Sequence, residues 1–181
     1  MRKVLYILGQ LDDRDIEWLV RVGRKRALAD GEVLVRQGVH SPSLYILIEG
    51  QATVAIAGLG SVVTLKPGEM IGELSFVDST PPSATVTAAG RCTVLEVPKS
   101  ELKEKIDAEV GFGFRFYKAM ALFLADRLRA TQDQQKQKTE VDLEATAAQE
   151  DELDDSLLGA VSLAGGRFER LLRMLAGAQT V

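Results

Sequence analysis

The sequence predicts a mainly β domain with flanking α-helices, followed by a long helix and a helical C-terminal appendage. Three observations predict it. From Gly31 onward, apolar residues recur at every second position in short runs, the period of a strand. Glycines at 50, 58, 60, 68, 72 and 90 separate those runs, as the turns of an antiparallel sheet require. From about Phe112 the apolar spacing changes to three and four, the period of a helix.

The elements follow in order. Asp12 and Asp13 are placed to cap a short helix through "RDIEWLVRV", with Ile16, Leu19 and Val20 on one face and Gly23 at its end. The basic knot Arg24, Lys25 and Arg26 reads as a solvated turn. In "SLYILIEGQATVAI", Leu44, Ile46 and Ile48 alternate with Tyr45 and Leu47, and Ala52, Val54 and Ile56 continue the pattern. "SVVTL", "SATVTA" and "CTVLEV" supply three further strands. Many short strands with glycine turns make a closed or two-layer antiparallel sheet. Pro98 ends the last strand, and Ser100 is positioned to cap "ELKEKI". In the long helix, Tyr117, Met120, Leu124 and Leu128 form a stripe that Phe116 and Phe123 widen, which suits a core or a dimer seam.

Past Leu128 that helix turns polar, and the composition shifts again at Thr139. Residues 139–166 hold eight acids and no Lys or Arg, the signature of an acidic linker or of a helix with one wet face. Within it Leu153, Leu157 and Val161 keep a helical rhythm. The segment "RFERLLRMLAG" is amphipathic, with Phe168, Leu171, Leu172 and Leu175 on one side and Arg167, Arg170 and Arg173 largely on another. Two dispositions are open to it: lying in a partner's groove, or folding back on the domain's own core. The organisation expected is a β domain with short flanking helices over 1–110, the long helix over 111–138, the acidic stretch over 139–166 and the amphipathic helix over 167–177.

Composition excludes several functions. Hydrophobic residues make up 46% of the 181 and the net charge is -4, so the chain is foldable and has no bulk attraction to nucleic acid or anionic lipid. The apolar run Val4–Leu8 is too short for a secretory leader, and no run approaches membrane-spanning length. Together with a single cysteine, Cys92, which cannot form an internal disulfide, this points to a soluble, cytoplasmic protein. Cys92 falls in a strand pattern and reads as a small core residue. His40, the only histidine, sits in a turn without metal-ligand spacing or a Ser-His-acid set. No enzyme, metal site or cofactor is expected.

"GEVLVRQGVHSPSLYILIEGQATV" followed by "LKPGEMIGELSFVDSTPPSATVTA" resembles the cyclic nucleotide-binding domain family, over residues from about 10 to 135. The resemblance implies an eight-stranded jelly roll with flanking helices, and a ligand, cyclic AMP or cyclic GMP. Residue by residue it implies that Gly72, Glu73 and Leu74 form the phosphate and ribose end of the site. Glu73 would accept from a ribose 2′-hydroxyl, and a short helix after Gly72 would point amides at the phosphate. Ser83 matches the small or hydroxylated residue of the cradle and Ala84 the following backbone donor. The family's arginine falls on Pro82, which has neither charge nor N–H. The nearest basic residue in sequence, Arg91, lies along the next turn and strand. "LADRLRATQ" resembles the helix that reaches the purine in the bacterial catabolite activator, which puts Thr131 at the base edge.

Members of the family that regulate transcription continue into a basic helix-turn-helix. Here the 41 residues from Val141 begin with an acidic half, so DNA binding is not expected. The expected protein is a stand-alone, non-enzymatic sensor or adaptor. It would be a homodimer through the long helix, signalling to another protein through that helix and the tail, by way of Phe168, Leu171, Leu172 and Leu175. The alternative is a structural or interaction scaffold with a degenerate, ligand-free pocket.

Overall fold

The computed structural model describes residues 9–140 and 166–176. The run Val4–Leu8, residues 141–165 of the acidic stretch with Leu153, Leu157 and Val161, and residue 177 lie outside the described residues.

Helix α1 spans Asp13–Val22. The Asp12 carboxylate accepts from the Asp15 N–H at 2.9 Å, and the Asp15 carboxylate accepts from the Asp12 N–H at 2.9 Å. This reciprocal cap satisfies two donors that a helix start leaves open. Ile16 and Leu19 are buried. Asp15 is buried as well, and Arg115 of the long helix answers its charge with two hydrogen bonds of 2.7 and 2.9 Å.

Among the described residues six strands follow: β1 Arg24–Leu28, β2 Val33–Val35, β3 Ser43–Ile56, β4 Gly60–Leu65, β5 Met70–Ile71 and β6 Thr85–Pro98. They form one antiparallel sheet in the order β1-β6-β3-β4, with β2 on β6 and β5 on β3. The segments expected as separate strands, "SATVTA" and "CTVLEV", are mostly the halves of one 14-residue strand, β6. Its partner β3 is equally long. Their register shifts between Leu47 and Gln51, where Gly50 and Gly90 take φ of +82° and +77°. The bulge bends both strands together and lets the sheet curl.

Two expectations need correction here. The basic knot is not a turn: Arg24–Arg26 open β1 and pair with Val94–Glu96. β1 ends the strand order, and only its Leu28 is buried, so it shows none of the apolar alternation of an inner strand. Ser100 does not cap α3, which spans Lys99–Ala108 and has no side-chain cap. Its first N–H donates instead to the Pro42 carbonyl at 2.9 Å, a partner far off in sequence.

The sheet is buried on both faces. Leu44, Ile46 and Ile48 of β3 join a cluster with α1, α3 and the long helix α4, Val110–Glu140. Tyr45 and Leu47, on the other face, join Leu28, Val54, Leu65, Val86, Cys92 and Val94 inside the roll. Cys92 is thus a core residue. Within α4 the broad stripe resolves into two faces. Phe112, Phe116, Met120 and Phe123 are buried, whereas Tyr117 and Leu128 are exposed beside Val110 and Phe114.

Residues 166–176 form helix α5. Of the two dispositions open to it, the chain takes the second. Leu171 and Leu175 are 0% and 4% exposed within the helical cluster, with Phe168 and Leu172 packed beside them. Arg170 donates to Asp13 at 2.9 Å and Glu17 at 2.7 Å, and Arg167 to the Gly9 carbonyl at 3.1 Å. The face expected to meet a partner is therefore spent on α1 and α4. No helix among the described residues is long and apolar enough to cross a membrane.

Gly50 and Gly58 separate strain from crowding. Both have positive φ, but a Cβ at Gly50 would lie 2.4 Å from the Arg91 carbonyl oxygen, whereas at Gly58 it meets nothing within 4 Å. Gly58→Ala should cost about 1 kcal/mol, and Gly50→Ala more than about 3 kcal/mol, as read by urea unfolding. Equal losses would contradict the close approach at the bulge.

Candidate functional site

The roll encloses a cavity of about 310 Å³, within the range of small-molecule sites. Its walls are aliphatic: Val35, Val54, Val63, Leu65, Ile71 and Val86. Three segments supply the remainder. Gly72–Ser75 follow β5, Pro82–Ala84 precede β6, and Arg127, Ala130 and Thr131 reach in from α4.

All seven residues singled out in the sequence, Gly72, Glu73, Leu74, Pro82, Ser83, Ala84 and Thr131, line this one cavity. Gly72 has φ +87°, and a Cβ there would sit 3.3 Å from the Ser43 carbonyl oxygen, so a glycine is what the turn accepts. Helix α2 follows as a single turn, Leu74–Val77. The expected short helix after Gly72 is therefore present, although at this length it carries little dipole. Its Phe76 faces inward instead, with ring centroids 5.8 Å from Phe116 of α4. Pro82 is buried and its carbonyl accepts from the Gly38 N–H at 2.9 Å. The Thr131 hydroxyl donates to the Arg127 carbonyl at 2.9 Å, so it serves its own helix. Arg91 is exposed and does not line the cavity.

Glu73 is 3% exposed, and Arg127 Nη1 donates to its Oε1. Burial pushes the Glu73 carboxyl above the usual carboxylate range, the Arg127 charge draws it back, and the nearby Glu69 charge adds to the rise. Below the turn, Lys99 Nζ donates to Ser75 Oγ at 2.7 Å, and Ser75 Oγ donates to the Gly72 carbonyl at 3.2 Å. Burial holds the Lys99 ammonium below its ordinary range. This chain of bonds ties the Gly72 turn to the start of α3.

Arg127 is the residue that motif matching passed over. It stands four positions before Thr131 in the same "LADRLRATQ" segment, and that spacing alone puts both on one face of the helix. Among the described residues lining the cavity it is the one cation.

A rolled antiparallel sheet that holds a mostly aliphatic cavity, closed by a glycine-led turn and one long helix, is a small-molecule-binding domain. Residues 25–109 match the model of the "Cyclic nucleotide-binding domain" family. Over that segment, 85 of the 181 residues, the chain is similar to this family. It is 39% identical over 85 residues to a cAMP-dependent protein kinase regulatory subunit of Schizosaccharomyces pombe, a match covering 47% of this chain and 21% of that protein. The chain spans at most 24% of the length of such curated relatives. The crystal structure of the N-terminal domain of a transcriptional regulator from Streptomyces coelicolor is 27% identical and matches 74% of this chain and 94% of that one, with a TM-score of 0.58. A cyclic nucleotide-binding domain from Methylobacillus flagellatus superposes with a TM-score of 0.67 over 81% of this chain and 84% of its own, and at 18% identity shows the shared fold.

Arg127→Leu leaves Glu73 buried without its cation. The variant should lose about 3 kcal/mol of stability near neutral pH. The loss should shrink in mild acid, because protonation removes the uncompensated charge. Denaturant titrations at two pH values check this, and a loss independent of pH would mean that the pair contributes packing alone.

Proposed function

We propose that the chain is a non-enzymatic sensor of the cyclic nucleotide class, taking cyclic AMP or cyclic GMP in the cavity and passing the event on through α4. The observation that carries this is the meeting of Glu73 and Arg127 in the cavity, one from the turn after β5 and the other from α4. With Pro82 in the position of the family's arginine, Arg127 is the group able to meet a phosphate with charge. Gly72, Leu74, Ser83 and Ala84 present backbone and hydroxyl donors to the same space, and Thr131 can turn its hydroxyl from its own helix to a base edge. A ligand held by Arg127 therefore acts on α4 directly.

The output runs in two directions. Toward solvent, Val110, Phe114, Tyr117, Ala121 and Leu128, with the half-buried Leu124 among them, are spaced four, three, four, three and four apart, the repeat of a two-stranded coiled coil. Phe114 and Leu128 are 69% and 60% exposed. We assign this face to a second copy of the chain, in a homodimer. Inward, the aromatic row of α4 shares its cluster with Leu171 and Leu175 of α5, so a shift of α4 reaches the tail. A protein partner reading that shift completes the adaptor role.

A second reading has one observation in its favour. Glu73 and Arg127 satisfy each other directly, as a scaffold with a degenerate pocket requires.

Calorimetric titration with cyclic AMP and cyclic GMP separates the two. The sensor binds at least one of them, and Arg127→Ala weakens binding by roughly tenfold to over a hundredfold, the worth of one charge-assisted hydrogen bond. No heat with either nucleotide, and none gained on Pro82→Arg, assigns the scaffold. Sedimentation should show a dimer that Phe114→Glu with Leu128→Glu converts to monomer. A wild-type monomer at high concentration would remove the seam.

A further inference from the structure

We propose that an anionic ligand enters this cavity together with a proton: the anion takes the Arg127 guanidinium, and the Glu73 carboxylate, deprived of that cation, takes the proton. The inference rests on reading the cavity as an anion site.

The charges facing Glu73 can be followed element by element. Arg127 on α4 donates to it directly. Glu69, buried just before β5, lines the same cavity and adds negative charge. Lys99 at the start of α3 gives its ammonium to Ser75 Oγ, not to Glu73, although its charge reaches that carboxylate through space. The other lining groups are aliphatic, backbone or hydroxyl.

A bound monoanion would then share one cavity-lining cation with a buried carboxylate, in a space of about 310 Å³. A guanidinium has enough N–H groups to touch both. The charges do not balance, however, since the anion, Glu73 and Glu69 would face one cavity-lining cation in mostly aliphatic surroundings, with Lys99 bonded to Ser75. Like charges so close in a site of low polarity do not both stay ionised. The cyclic phosphate is the stronger acid and keeps its charge, so the proton goes to Glu73. Neutral Glu73 still accepts a hydrogen bond at its carbonyl oxygen and gains an O–H donor.

The sign follows. Burial already raises the Glu73 carboxyl in the free protein, with Arg127 opposing. Diverting Arg127 and bringing in an anion each raise it further. Between the free-state and bound-state values, binding takes up a proton, so affinity rises as pH falls. Below the free-state value both states are protonated and the dependence disappears.

The test is calorimetry of the full chain with cyclic AMP and cyclic GMP at pH 7.5, in Tris and in HEPES buffer. These buffers differ in ionisation heat, and the difference in observed heat counts protons. We expect about one proton taken up per ligand, and affinity rising by up to about tenfold per pH unit lowered. In Glu73→Gln the proton count should fall to near zero, whatever the affinity of the variant. Should the variant fail to fold, the pH dependence of wild-type affinity decides alone. Binding without proton uptake, or with uptake that persists in Glu73→Gln, overturns the proposal and leaves the sensor reading standing. No heat with either nucleotide between pH 6 and 8 overturns both.

Discussion

The contact between Glu73 and Arg127 is the interaction on which the site depends. Each group alone would be costly there. A carboxylate withdrawn from water needs a partner, and Glu73 is nearly inaccessible at the rim of an aliphatic cavity. Its partner comes from 54 positions further along the chain, so the pair closes only when α4 lies across the mouth of the roll. Arg127 Cζ also rests 5.9 Å from the centre of the Phe123 ring, which faces the core. The guanidinium is thus held between an aromatic face and a carboxylate. Breaking that hold exposes an imbalance of charge, which neighbouring packing cannot repair.

What lies behind the pair is built to be stiff. Gly72 is tied through Ser75 to Lys99. Phe76 meets Phe116, which stacks on Phe112 at 5.6 Å, and Phe112 meets Trp18 edge-on at 5.3 Å. Below them Arg115 grips Asp15, whose own carboxylate also closes the cap of α1. The cavity turn, α4 and α1 are therefore joined by contacts that interdigitate and do not slide freely. The leucines of α5 fill the same cluster, so the tail is a further wall of this assembly.

The parts of this arrangement that were legible in the sequence are the local ones. Asp12 announced a helix start because a cap is settled within three residues. Gly72, Glu73 and Leu74 announced the turn because they are contiguous, and the alternation of Leu44, Ile46 and Ile48 announced a strand facing a core. What sequence left obscure depended on distant partners. β1 shows no alternation because it pairs on one side only. Nothing local to Gly50 or Gly90 says that the strands on either side of each continue as one; that follows from how β3 and β6 pair. Lys99 starts α3 because Pro42, 57 positions earlier, takes its N–H. Tyr117 and Leu128 look identical to Phe116 and Phe123 in a periodicity count, and only the neighbours packed on one side tell the two faces apart. Arg127 stood in plain view, yet its role needs Glu73 beside it, and no spacing rule joins positions so far apart.

In the proposed sensor, a ligand-binding cation at position 127 rather than at position 82 would have a mechanical consequence. A cation fixed beside Ser83 would sit on the roll itself, and ligand could bind with α4 in any position. A ligand changes a conformational equilibrium only by binding one state better than another, so such a site needs further contacts to sense the helix. With the cation on α4 the two events are the same event. On that reading, withdrawing the helix would remove the charge that holds the ligand, and bringing the ligand in would pin the helix. If one charge-assisted bond contributes about 1.5–3 kcal/mol, that bond alone biases α4 by roughly tenfold to over a hundredfold. In the proposed sensor, the proline at position 82, read locally as a defect in the pocket, would thereby move the ligand's grip from the roll to the long helix.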